Sequence, residues 1–110
     1  MGISTHILDT THGRPAKGVT VRLEQVLPTG ATELATGVTN DDGRVKPLLD
    51  VIPAPGTYRL HFEVAGYFAA LGVEAFYPAV HIDFLVKAVH EHFHVPLLLN
   101  PFGFSTYRGS

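Results

Sequence analysis

Apolar and polar positions alternate along much of the chain, and the alternation predicts strands. Ile3, Thr5 and Ile7 alternate with Ser4, His6 and Leu8, which gives a first strand. Val19, Val21 and Leu23 alternate with Thr20, Arg22 and Glu24, a clearer strand with one buried face. The polar stretch "DTTHGRPAKG" separates the two as a loop. "TELATGV" reads as a weaker strand, and "NDDG" at 40–43 as a tight turn across which "RVKPLL" pairs back. Pro47 marks that returning strand as short or at an edge. After the turn "PAPG", Tyr58, Leu60, Phe62 and Val64 fall on one face and Thr57, Arg59, His61 and Glu63 on the other. Val80, Ile82, Phe84, Val86 and Ala88 repeat that pattern. The one helix candidate is short and lies in "YFAALGVEAFYP", ahead of Pro78. "EHFHVPLLL" and "FSTYR" supply the last strands. Seven or eight short strands divided by turn signals predict an all-β sandwich in preference to a barrel.

Size and charge narrow the function. A chain of 110 residues, 45% of them hydrophobic, predicts one domain over residues 1–110. A domain this small buries roughly 60–65% of its unfolded surface, so oligomerisation would add stability. Eight basic and ten acidic side chains leave a net charge of -2. With no basic tract, neither nucleic acid nor an anionic membrane is an expected partner. The absence of cysteine excludes disulfides, thiol catalysis and thiolate metal ligands. No apolar run approaches the length of a membrane span, and the expectation is a soluble, cytoplasmic protein.

The candidate chemistry lies in histidine and arginine. "HEHFHVP" places His90, His92 and His94 at every second position, on one face of a strand. Three readings stay open for them: a zinc or copper site, a functional surface without metal, or ordinary solvent-facing histidines. His6 lies within an apolar strand, where a structural histidine is the plain alternative to a functional one. Arg44 follows the "NDDG" turn, where solvent exposure is the plain alternative. The chain from Pro96 onward, "PLLLNPFGFSTYRGS", is too apolar for a mobile tail, so Phe104 and Tyr107 are expected to pack, a subunit boundary being one place for them, leaving Arg108 and Ser110 to define a pocket. No Gly-rich phosphate loop, HExxH, GxSxG or Cys nucleophile is present. Hydrolysis by an activated water suits the remaining residues, because neutral imidazole takes a proton near pH 7 and Arg stays cationic.

The stretches "HILDTTHGRPA", "DGR" and "HFHVPLLLNPFGFSTYRGS", and above all the ending "YRGS", closely resemble the transthyretin-like 5-hydroxyisourate hydrolases. The resemblance covers essentially the whole chain. It implies a transthyretin-like sandwich of two antiparallel four-stranded sheets with one short helix, and a homotetramer built as a dimer of dimers. Transthyretin itself shares the fold but is a hormone carrier and lacks "YRGS", so a non-catalytic carrier of small molecules is the alternative reading. The implied reaction is hydrolysis of 5-hydroxyisourate to 2-oxo-4-hydroxy-4-carboxy-5-ureidoimidazoline in urate degradation, with no cofactor. By the same resemblance His6, Arg44, His94 and Ser110 are catalytic. Arg44, Tyr107, Arg108 and Ser110 bind substrate. His92 matches the first histidine of the family's histidine–aromatic–histidine element without a defined role. Phe93 and Phe104 stand where many relatives carry Tyr, which removes a hydroxyl and keeps the ring. No metal is expected, with His90, His92 and His94 as the residues that would hold one.

Overall fold

The alternating stretches form strands whose buried side is the apolar one. The structure, a computed structural model, describes residues 2–45, 48–87 and 91–110. Strand β1 (Ile3–Asp9) buries Ile3, Thr5, Ile7 and Asp9 and leaves Ser4, His6 and Leu8 half-buried on the opposite face. Thr5 is tolerated in the core because its hydroxyl donates to the carbonyl of Val95 at 2.7 Å. The two-residue strand β2 (Arg14–Pro15) folds back on β1. Then come β3 (Thr20–Leu27), β4 (Gly30–Val38), β5 (Gly56–Phe62), helix α1 (Val64–Ala70), β6 (Val80–Val86), β7 (Phe93–Asn100) and β8 (Gly103–Thr106).

Two four-stranded sheets result, in the orders β2-β1-β7-β8 and β4-β3-β5-β6. All neighbours run antiparallel except β1 and β7, which run parallel with Ser4 opposite His94 and His6 opposite Pro96. The inward faces meet in one core, with Ile3, Ile7, Leu97 and Leu99 from the first sheet and Val21, Leu23, Leu60 and Phe62 from the second. Each of these is at most 1% exposed, and burying a side chain of this size stabilises by about 1.5–3 kcal/mol. No helix among the described residues is long and apolar enough to cross a membrane.

Two local expectations change. The helix begins at Val64, ahead of the stretch expected to hold it. Val64 continues the alternation of β5, but it also stands four residues before Phe68, and both are buried. One position satisfies either period, and packing of the Val64–Phe68 pair on the core selects the helix. Among the described residues, the segment after "NDDG" does not pair back with β4. It crosses to the other sheet, where Arg44 bridges to His6 and Leu49 to Ile3. The turn itself redirects the chain. The Asn40 side-chain oxygen accepts from the backbone N–H of Asp42 (2.9 Å) and of Arg44 (3.1 Å). Gly43 takes φ +73°, and a Cβ there would collide with the carbonyl of Ile7. The N–H of Ile7 donates to the carbonyl of Gly43 at 2.9 Å, which seals the turn onto β1. Pro47 and Ala88, invoked for the strands above, lie outside the described residues.

Candidate active site

The parallel pairing of β1 with β7 creates the site. Ser4 and His6 share the outward face of β1, and His94 shares the outward face of β7. The "NDDG" turn sets Arg44 against His6 from the far side. Pro96 then shapes the fourth wall. It has no N–H to extend a ladder, and regular pairing with β8 stops at Leu97 opposite Thr106. The tail bends away through Tyr107 and Arg108 and returns at Gly109, whose N–H donates to the carbonyl of His94 at 2.8 Å. A Cβ on Gly109 would stand 2.6 Å from Cδ2 of His94, so only glycine lets the chain lie on that ring. Ser110 follows and is exposed.

His6, Arg44 and His94 lie close enough to feel one another's charge. The pKa of His94 is lowered, chiefly by burial, then by the cationic Arg44 and by His6 and His92; a hydrogen bond to the backbone of Ser4 opposes this in part. The pKa of His6 is lowered by burial and by Arg44, against opposing contributions from the backbone and charge of Asp42. Both imidazoles are therefore neutral at pH 7 and able to accept a proton.

One contributor was not visible from motif or resemblance. The Ser4 hydroxyl stands 2.7 Å from Nδ1 of His94 and 2.7 Å from Nε2 of His92, joining the two rings. The i,i+2 spacing of Ser4 and His6 on an alternating strand was the available signal, since it puts both on one face. His90 lies outside the described residues. Among those described, no group of three His, Asp or Glu side chains is placed to hold a metal ion.

Tyr107 and Arg108 stand apart from this cluster. The Arg108 guanidinium lies 4.9 Å from the centroid of the Phe93 ring and reaches Glu91 at 3.4 Å. Both line a mainly apolar cavity of about 290 Å³ with Phe93, His94, Val95 and Ile82, and neither His6, Arg44 nor Ser110 borders it. His94 thus borders this cavity, while His6 and Arg44 lie on the open sheet face. Two neutral bases and one fixed cation so placed suit the addition of water to a polar carbonyl compound.

A model of the HIUase/Transthyretin family matches residues 3–109. The chain is 49% identical to a 5-hydroxyisourate hydrolase of Halalkalibacterium halodurans, over 98% of this chain and 97% of that protein. Its fold matches the structure of the Klebsiella pneumoniae 5-hydroxyisourate hydrolase with a TM-score of 0.86 at 42% identity, covering 98% and 92% of the two chains. It also matches transthyretin from Sparus aurata with a TM-score of 0.90, but at 31% identity, covering 97% and 95%.

Proposed function

Because the chain belongs to the HIUase/Transthyretin family, we infer that it hydrolyses 5-hydroxyisourate to 2-oxo-4-hydroxy-4-carboxy-5-ureidoimidazoline in urate degradation. The observation that carries this is end-to-end likeness to hydrolases at 49% and 42% identity. The likeness to a transthyretin has an equally good fold match but lower identity, 31%. Fold alone would suit a carrier equally well. The enzyme is a cyclic amide hydrolase.

The roles of individual side chains are our proposal. His6 and His94 position a water molecule and remove its proton as it attacks a ring carbonyl. Arg44 binds the electron-rich substrate and offsets the charge that develops on the carbonyl oxygen. Ser110 orients water or substrate, and Tyr107 and Arg108 bind substrate from the adjoining cavity that His94 borders. No cofactor enters this scheme. The supporting observations are the shared outward face of His6 and His94, their lowered pKa values, and the placement of Arg44 beside both.

We further propose that one domain, residues 1–110, assembles as a homotetramer, a dimer of dimers. An open face does not exclude water by itself, so a second subunit closing over it would complete the site. The edge strands β6 and β8 carry exposed Leu85 (59%) and Phe104 (40%), with Tyr107 (58%) beyond β8, which supports association there. The same reading places the enzyme in the cytoplasm, to be checked by fractionating the native host.

Activity is tested with freshly generated 5-hydroxyisourate followed by ultraviolet absorbance in a stopped-flow instrument. The protein accelerates its loss above the spontaneous rate, with no nucleotide, metal or redox cofactor added. A carrier would bind the compound and leave its decay unchanged, and that result would refute the hydrolase reading.

A further inference from the structure

We propose that Ser4 and His92 form a proton relay that clears His94 to solvent during turnover. The inference rests on the hydrolase reading, and it concerns two residues to which that reading gives no role. Its basis is a single hydroxyl shared by two imidazoles: Ser4 Oγ is 2.7 Å from Nδ1 of His94 and 2.7 Å from Nε2 of His92. A serine hydroxyl has one proton to donate. With both rings neutral, Ser4 donates to one ring nitrogen and accepts an N–H from the other. His94 is half-buried, whereas His92 is exposed just ahead of β7, so the chain of contacts runs from the site to water.

The relay starts with Nδ1–H of His94 donating to Ser4 and the Ser4 O–H donating to Nε2 of His92. In this arrangement Nε2 of His94 carries the free lone pair. As water attacks the ring carbonyl, a C–O bond forms and one water proton passes to Nε2 of His94, which gives it to the ring nitrogen as the C–N bond breaks; the carboxylic acid so formed then gives its proton to Nε2 of His94. The Nδ1 proton then moves to Ser4 Oγ, and the original Ser4 proton moves to Nε2 of His92. His92 releases a proton from Nδ1 to bulk water. His94 is left neutral with its proton on Nε2, and exchange with water restores the starting tautomer. The balance requires such an exit. Ring opening yields a carboxylic acid, which is ionised at neutral pH, so one proton leaves the site in each turnover.

The surroundings set the direction of transfer. Among the described residues, the titratable and charged groups facing His94 are Arg44, His6 and His92. The cationic Arg44 opposes a second positive charge on His94 and favours passing the proton outward. His92 has the Ser4 hydroxyl as its partner, and its sequence neighbour Glu91 is engaged by Arg108. Ser4 and His92 act through His94, so both are positioning and relay residues with no contact to the reacting atoms.

The test uses the full-length protein with Ser4→Ala, Ser4→Thr, His92→Gln and the double variant Ser4→Ala/His92→Gln. In dilute buffer, Ser4→Ala and His92→Gln each lower kcat by about tenfold or more, less than the ~10²–10⁴ lost with a group that itself transfers the proton at the reacting atoms. KM stays close to wild type. Added imidazole or another small buffer base restores kcat in both variants in proportion to its concentration, because it replaces the missing acceptor. Ser4→Thr keeps the hydroxyl and retains most of kcat. The double variant is no slower than the worse single variant, since both interrupt one path. An active wild type whose His92→Gln variant keeps full kcat in dilute buffer would overturn the relay, and so would a Ser4→Ala loss that added buffer leaves unchanged. His92 is exposed and outside the strand, so its variant folds even if Ser4→Ala does not. A wild type without activity on 5-hydroxyisourate would instead defeat the hydrolase reading, which separates the two failures.

Discussion

His6 and His94 are bases because of where they stand. Burial and the neighbouring Arg44 hold both pKa values below 6.5. The neutral base therefore persists into mildly acid solution, and kcat/KM should hold from pH 8 to 6.5 and fall on an acid limb below that. Arg44→Gln should move that limb upward by removing a cation that disfavours the imidazolium, while burial keeps part of the shift. A limb unmoved by this substitution would count against the Arg44 contribution. Replacing His6 or His94 by Gln should lower kcat about 10²–10⁴-fold, with circular dichroism confirming an intact sandwich. The same shifts enter stability. The unfolded chain binds more protons than the folded one below 6.5, so the stability present above that pH is lost as pH falls through the lowered values. Asp9 obeys the same sign at lower pH. Its burial raises the carboxyl pKa most strongly, but hydrogen bonds from the Tyr67 hydroxyl (2.7 Å) and from the His12 backbone and ring together overturn this and hold it below 3.8. The Tyr67 phenol is pushed up to about 12 by burial and by Asp9. Tyr67→Phe should thus cost about 1.5–3 kcal/mol, the worth of a hydrogen bond to a charged group, and chemical denaturation would measure it. Turnover below the melting transition should be little changed.

Two glycines carry the placement of the site from residue to element. Gly43 lets the turn after β4 press onto β1, and Gly109 lets the tail lie on the His94 ring. Gly109→Ala should displace that ring and reduce turnover at least tenfold with little change in melting temperature, because the nearest atoms the added methyl meets are side-chain atoms of His94 and Pro96, not backbone. Gly43→Ala should reduce both, since it meets backbone and adds the ~1–2 kcal/mol of a left-handed conformation. Equal effects on stability and turnover from the two substitutions would contradict this division. The alternation along β1, β3, β5 and β6 was readable because each strand has one dry face and one wet face. The start of α1 was not, because Val64 fits both periods and only its packing beside Phe68 decides between them. The path after "NDDG" was hidden for a similar reason. A tight turn between strand-like segments reads as a hairpin, while the contacts that send Arg44 to His6 are long-range.

Assembly is the test at the scale of the whole molecule. Strands β6 and β8 each form one edge of their sheet, and the aromatic cluster of Phe76, Tyr77 and Phe104 lies partly exposed at β8. Covering apolar surface stabilises by about 25 cal/mol per Å². Light scattering over a dilution series should show a tetramer that dissociates at low concentration, with specific activity falling in parallel. Leu85→Lys on β6 should shift dissociation to higher concentration without unfolding the chain. A monomer with full activity would remove the interface from the site and leave the hydrolase reading standing.

The sequence by itself determined the β class, the parity of each strand and the residue types available for chemistry, because these follow from local alternation and composition. It put Ser4 and His6 on one face of β1 and Arg44 just beyond a turn. Only the tertiary structure decided that β1 lies parallel to β7, and therefore that Ser4 stands opposite His94 and His6 beside it. It also brought Arg44 across from the other sheet and returned Gly109 onto the His94 ring. These contacts join residues as far as ninety positions apart. Such pairings depend on how two sheets share one core and which strands become neighbours, and no local pattern of hydrophobic and polar residues carries that information.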